Sequence, residues 1–137
     1  MLVVLDTNIL VSGLLSPFGP PGRLIDLIVT GTLQIAFDDR IIAEYSDILE
    51  RPTFGFPQDA IDGLLGHIRR TGVQITALPL PPEGSPDPDD LPFVEVAVTS
   101  GAPFLITGNP RHFVLAELHG VAVVGPTEFL GAFGTLA

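Results

Sequence analysis

The sequence predicts an α/β domain built on a parallel sheet, and three observations carry that reading. Short apolar runs with strand character alternate with segments of helical spacing along the chain. The first run, Leu2-Val3-Val4-Leu5, is unbroken and rich in branched residues, which suits a strand buried on both faces. Polar clusters then sit directly after or beside such runs, the first at Asp6-Thr7-Asn8. A carboxylate at the carboxyl end of a central parallel strand lies where open α/β sheets bind ligands. Taken alone, Asp6 or Thr7 serves equally well as the cap of the helix that follows.

The elements follow in order. Ile9, Leu10, Leu14 and Leu15 give the first helix its apolar spacing, and Ser16-Pro17-Phe18-Gly19-Pro20-Pro21-Gly22 interrupts it. A second helix is expected from residue 21 or 22 to about 30, with Leu24, Ile25, Leu27 and Ile28 inward and Gly31 as its stop. Residues 33–37 read as a strand. Asp38-Asp39 offers an N-cap to a helix over 40–50, whose apolar face is Ile41, Ile42, Tyr45, Ile48 and Leu49. Glu44 lies near the edge of that face and reads first as a surface glutamate.

Arg51-Pro52 ends this helix. A loop leads to an amphipathic helix over 59–71, with Ile61, Leu64, Leu65 and Ile68 inward. His67, Arg69 and Arg70 close it as a solvated terminus whose charge suits the dipole. Residues 73–78 are expected as a third strand. The proline-rich stretch 79–90 is a surface loop that delivers Asp87, Asp89 and Asp90 to a helix over 91–100. Capping accounts for one of these acids, not for three. Gly101 stops that helix, and 103–106 forms another buried strand, followed at once by Thr107-Gly108-Asn109-Pro110-Arg111-His112-Phe113. Residues 121–124 are the last strand. A closing helix opens over 126–130, with Thr127 as its cap, and a soft tail follows from Gly131.

Composition narrows the function. A chain of 137 residues is read as one domain, 1–137, with room for a sizeable core. Its apolar share is 46%, yet no run approaches a membrane span. The chain starts directly on a strand, so no secretion signal is expected and the cytoplasm is the expected location. Without cysteine there is no disulfide framework, thiolate metal site or cysteine nucleophile. The formal charge is −10, and the six basic residues are all arginine. Such a chain is a poor simple nucleic-acid-binding module. Clustered carboxylates do suit a hard divalent cation such as Mg²⁺ or Mn²⁺.

Parallel connections place the carboxyl ends of the strands on one rim. Asp6, Asp90 and Asn109 are expected to meet there, with Glu44 leaning in from a neighbouring helix. Carboxylates gathered in this way repel one another unless protons or cations compensate. A divalent ion would offset the repulsion, polarise a phosphate and activate a water for attack on phosphorus.

The same residues carry a resemblance. Val3-Val4-Leu5-Asp6-Thr7-Asn8-Ile9-Leu10-Val11-Ser12, then Glu44, then Asp90 ahead of Phe93-Val94 and Ala97, then Thr107-Gly108-Asn109 ahead of Phe113, resemble the PIN-domain ribonucleases. The branch they resemble is the VapC-like toxin components of bacterial toxin–antitoxin pairs. The resemblance implies a three-layer α/β/α sandwich with a mostly parallel, four- to five-stranded sheet. It implies a Mg²⁺- or Mn²⁺-dependent endoribonuclease acting on RNA, a cognate antitoxin as partner and a possible homodimer. By motif, Asp6, Glu44 and Asp90 take the places of the catalytic acidic ligands, while Asn8 and Thr107 match polar residues that orient the site. Many relatives carry a fourth acid where this chain has Asn109, so one bound ion is expected before two. Asp87 and Asp89 flank Asp90 as auxiliary ligands. His112 is expected to pack or hydrogen-bond beside Phe113, and His119 to sit in a turn. Phe18, Phe54, Phe56 and Phe133 are expected as exposed apolar residues available to a dimer contact.

Two rivals share an aspartate after the first strand: haloacid-dehalogenase-like phosphatases and response-regulator receivers. The first needs a second Asp where this chain has Asn8, and both place a Lys near the phosphoryl group, which this chain lacks. The remaining alternative is a non-catalytic PIN-like binding or assembly module with a vestigial acidic site.

Overall fold

The computed structural model describes residues 1–81, 83 and 87–136. Five strands, β1 (Leu2–Leu5), β2 (Gln34–Phe37), β3 (Val73–Gln74), β4 (Phe104–Ile106) and β5 (Ala122–Val124), form one sheet in the order β3-β2-β1-β4-β5. Every pairing is parallel: β1 registers Val3 against Ile35 of β2 on one side and against Phe104 of β4 on the other. β1 is therefore central. Val3, Val4 and Leu5 are fully buried, as an unbroken apolar strand requires.

Seven helices complete a three-layer α/β/α sandwich: α1 (Thr7–Leu15), α2 (Pro20–Val29), α3 (Asp39–Leu49), α4 (Gln58–Thr71), α5 (Leu91–Ser100), α6 (Val114–Leu118) and α7 (Pro126–Leu136). α2 packs against α1, α4 and α7 in one layer. α5 lies against β1, β2, β4 and α6 in the other. α3 touches α1 and α4 on one side and α5 on the other. None of the described helices is long and apolar enough to cross a membrane.

Several boundaries differ from the sequence reading, each for a physical reason. β3 stops after two residues because β2, on which it pairs, ends at Phe37; after Ile75 donates to the Phe37 carbonyl, the chain leaves the sheet for α5. There Leu78 N donates to Thr99 Oγ1 and Leu80 N to Glu95 Oε2. Of the expected loop over 79–90, residues 82 and 84–86 lie outside the described residues, and 88–90 form a 3₁₀ turn leading into α5. Polar Arg111-His112 and the short apolar repeat of Leu115 and Ala116 hide a second 3₁₀ turn (Pro110–Phe113) and the five-residue α6, too brief to register as a period. The tail is not soft: α7 opens at Pro126 as expected and continues through Gly131 to Leu136, which puts Thr127 inside the first turn and not at the cap. Phe129, fully buried against Phe104, anchors α7, and Phe133 stacks on Phe129. Phe54 and Phe56 stack on each other and are half-buried, so among the four phenylalanines only Phe18 stands out in solvent, 98% exposed. His67 is no solvated terminus either: its ring Nε2 donates to the Ile28 carbonyl at 2.9 Å and ties α4 to α2.

Tyr45 joins the core to the rim. Fully buried, it packs on Phe93 of α5, and its hydroxyl donates to the carbonyl of Leu5 at 2.6 Å. Burial holds this phenol protonated, far above its ordinary range. Tyr45→Phe removes this hydroxyl donor from the Leu5 carbonyl and should cost about 1–2 kcal/mol. Urea unfolding of the two proteins measures the difference, and equal midpoints would mean the bond contributes nothing.

Candidate functional site

The strand order reverses at β1, whose neighbours are β2 on one side and β4 on the other. Such a switch point opens a crevice at the carboxyl ends of the two diverging strands. Asp6 leaves β1 at this point and Thr107 leaves β4. The Thr107 hydroxyl donates to Asp6 Oδ2 at 2.8 Å across the crevice, and Thr107 Oγ1 in turn accepts from the Asn109 backbone N–H at 3.0 Å. Asp6 is the N-cap residue of α1 by position, but its side chain makes no capping bond. The capping alternative for Asp6 fails, and its carboxylate is committed to the crevice.

Glu44 comes in from α3. It is half-buried rather than a surface residue, and the buried Thr7 hydroxyl donates to its Oε2. This contact is possible because α1 and α3 pack together, which a reading along the chain does not reveal. Thr7 therefore holds Glu44 and does not cap.

Asp90 arrives on the turn before α5. Of the three acids there, Asp87 takes the capping role, its Oδ1 accepting from Asp89 N at 2.9 Å. Asp89 is exposed. Asp90 makes no side-chain capping bond, and among the described residues its buried Oδ2 has no hydrogen-bond partner, with His112 Nδ1 at 3.5 Å. His112 hydrogen-bonds, as expected: Asn109 Nδ2 lies 3.2 Å from its Nε2, and its Nδ1 lies 3.5 Å from Asp90 Oδ2. Asn109 thus commits its amide nitrogen to His112. Asn8, exposed in the first turn of α1, bonds to none of these acids.

The charges feel one another. Burial raises the proton affinity of Asp6, against the Thr107 hydrogen bond, which lowers it. Burial likewise raises Glu44, and the charges of Asp6, Asp89 and Asp87 add to the shift. Asp90 is pushed up to about 6, by burial first and then by Asp6 and Asp87, with His112 pulling the other way. Mutual repulsion of this kind is what a cation relieves. Oxygen donors and an orphaned buried carboxylate oxygen fit a hard divalent ion. Among the described residues, no three acidic or imidazole side chains already stand close enough to enclose one.

Beside this crevice lies a second polar group that the sequence conceals. Arg40 donates to Asp38 Oδ2 through Nε at 2.8 Å and through Nη2 at 2.7 Å, and to Glu95 Oε1 through Nη1 at 2.8 Å. Asp38 also caps α3 through Ile41 N. Glu95 is 4% exposed. A lone charge inside Phe93-Val94-Glu95-Val96-Ala97 was the available signal, since a carboxylate is rarely buried without a partner.

A five-stranded parallel sheet with acids gathered at its switch point is a fold with a rim suited to phosphate chemistry. A family model of the PIN domain matches residues 2–111, and the chain belongs to the PIN-domain family. Members of this family are generally nucleases and typically use divalent metals. No curated protein matches the chain.

The raised Asp90 fixes a pH dependence. A carboxyl group whose folded value is about 6 against an ordinary 3.8 binds protons more readily in the folded state. Its charge therefore destabilises the fold above pH 6, and the penalty fades as pH falls through that window. Asp90→Asn should melt about 2–5 °C higher than the parent at neutral pH, with the gap closing by about pH 4. Calorimetry without added metal checks this, and a variant that melts lower at neutral pH would contradict it.

Proposed function

We propose that this chain is a Mg²⁺- or Mn²⁺-dependent endoribonuclease and the toxin component of a VapC-like toxin–antitoxin pair. The observation that carries the reading is the buried, unpartnered Asp90 Oδ2 beside Asp6 and Glu44, all three raised in proton affinity. Family membership supplies the reaction class. Asp6 and Asp90 hold the ion, and Asn109 contributes through its amide. When bound, the ion offsets the carboxylate charge, polarises the scissile phosphate and activates a water. The side chains must draw inward to reach it. Thr107 fixes the orientation of the Asp6 carboxylate, so one ligand is set in advance. Glu44, held by Thr7, serves as a further ligand or as the base that takes the proton of the attacking water. Asp87 and Asp89 raise the local negative charge. In-line attack on phosphorus then leaves a 5′-phosphate and a 3′-hydroxyl.

The partners follow from the same surface. A net charge of −10 favours a basic antitoxin segment, and the exposed Phe18 offers an apolar contact to a second copy or to that segment. A cytoplasmic location belongs to this reading. A small reading frame overlapping the upstream end of the gene would support the toxin assignment.

The substitution of Asn109 for an acid found in many relatives favours one alternative, a binding or assembly module with a vestigial site. Cleavage separates the two. RNA should be cut in Mg²⁺ or Mn²⁺, EDTA should stop it, and Asp6→Asn or Asp90→Asn should lower the rate at least about a hundredfold with the fold intact by circular dichroism. Activity retained in either purified variant defeats the mechanism, and inactivity of the parent with every metal leaves the module.

A further inference from the structure

The rim carries a second concavity, a cavity of about 420 Å³ whose walls include Asp39, Arg40, Gln74, Ile75, Ala77 and Pro79. It opens where β2 and β3 end, beside the crevice at the end of β1. Arg40 and Glu44 are four residues apart on α3, so their side chains are neighbours on one helix face. A phosphate held at the acids would place an adjoining nucleotide within reach of this cavity.

The lining says which part of a nucleotide it takes. Asp38, Asp39 and Glu95 outnumber the one guanidinium, so a phosphate is disfavoured. Arg40 is pinned by its contacts to Asp38 and Glu95, which occupy three of its five N–H groups, yet its side chain is 48% exposed. What it offers is a fixed flat surface and its two remaining donors. Asp39 Oδ1 accepts from Gln74 Nε2 at 3.2 Å, and its second oxygen is open. A rigid planar cation for stacking and a carboxylate acceptor at its side make a complementary set for a nucleobase. Guanine alone presents two adjacent donors, N1–H and the N2 amino group, to a carboxylate. Uracil would turn two carbonyl oxygens toward the acid. Adenine and cytosine place a ring acceptor beside their single amino donor.

We propose that this cavity is a subsite for an unpaired guanine flanking the cleaved phosphate of the RNA, with Asp39 reading its pairing edge and Arg40 supporting its ring. The proposal rests on the ribonuclease reading, so its test includes a measurement that needs no cleavage. In EDTA, guanosine 5′-monophosphate should shift the backbone amide resonances of Gln74, Ile75 and Ala77, and the adenosine, cytidine and uridine monophosphates should shift them far less. Asp39→Asn and, separately, Gln74→Ala should weaken that response roughly tenfold, the scale of one good base-edge contact. With Mn²⁺ and an RNA of randomised sequence, the parent should cut next to guanosine at least about tenfold more often than next to other bases, and Asp39→Asn should lose that bias. Guanosine-selective shifts in a protein that cuts no RNA would uphold the cavity and defeat the nuclease reading. Cleavage without base bias, or amide shifts equal for all four nucleotides, would overturn the guanine subsite and leave the nuclease reading standing.

Discussion

The hydrogen bond from Thr107 to Asp6 spans the one place in this sheet where adjacent strands lead the chain in opposite directions. It forms in a fully buried setting, where a hydroxyl and a carboxylate left apart would each lose water without compensation. The bond therefore requires β1 and β4 to end level with each other, which their register supplies by pairing Leu5 with Ile106. Everything else at the rim is referred to this point. Glu44 is positioned through Thr7, the neighbour of Asp6, and Asn109 through the oxygen of Thr107.

Around that fixed pair the protein gathers charge it does not neutralise. Asp38 and Glu95 are satisfied by Arg40. Among the described residues no arginine pairs with Asp6, Glu44 or Asp90, which are met instead by the Thr107 and Thr7 hydroxyls and the His112 imidazole. The contrast between two sets of carboxylates on one rim is informative. One set is completed by the chain itself, at short distances and with a cap included. The other is left electrostatically incomplete, which stores unfavourable energy where a ligand can release it.

How much of this could be read from the sequence depended on the range of the interaction concerned. β1 and Asp6 were legible because a buried parallel strand is a local pattern, continuous and branched, that stops at a charge. The long helices followed from their period for the same reason. Glu44 resembled a surface residue because its partner Thr7 lies thirty-seven positions away and only the packing of α1 on α3 joins them. The observed β3 is shorter than its sequence suggests, because strand propensity continues through Ile75 and Ala77 after the pairing partner has run out. The helical end of the chain was read as a tail because the glycines at 131 and 134 lower helix propensity, whereas Phe129 buried against Phe104 decides the matter through tertiary contact. A hydrogen-bonding His112 is legible in the sequence but its partners are not, since only the 3₁₀ turn over Pro110–Phe113 brings it to Asn109 and Asp90.

The route by which Asp90 reaches the rim has a thermodynamic corollary. Pro88 and Pro92 bracket it within five residues, each locking one backbone torsion, and the 3₁₀ turn between them runs straight into α5. A carboxylate on so stiff a stalk surrenders little freedom when something binds it. Association at this rim is therefore opposed by stripping water from charges and not by ordering a floppy segment, which makes ionic strength, more than temperature, the natural dial on its affinity.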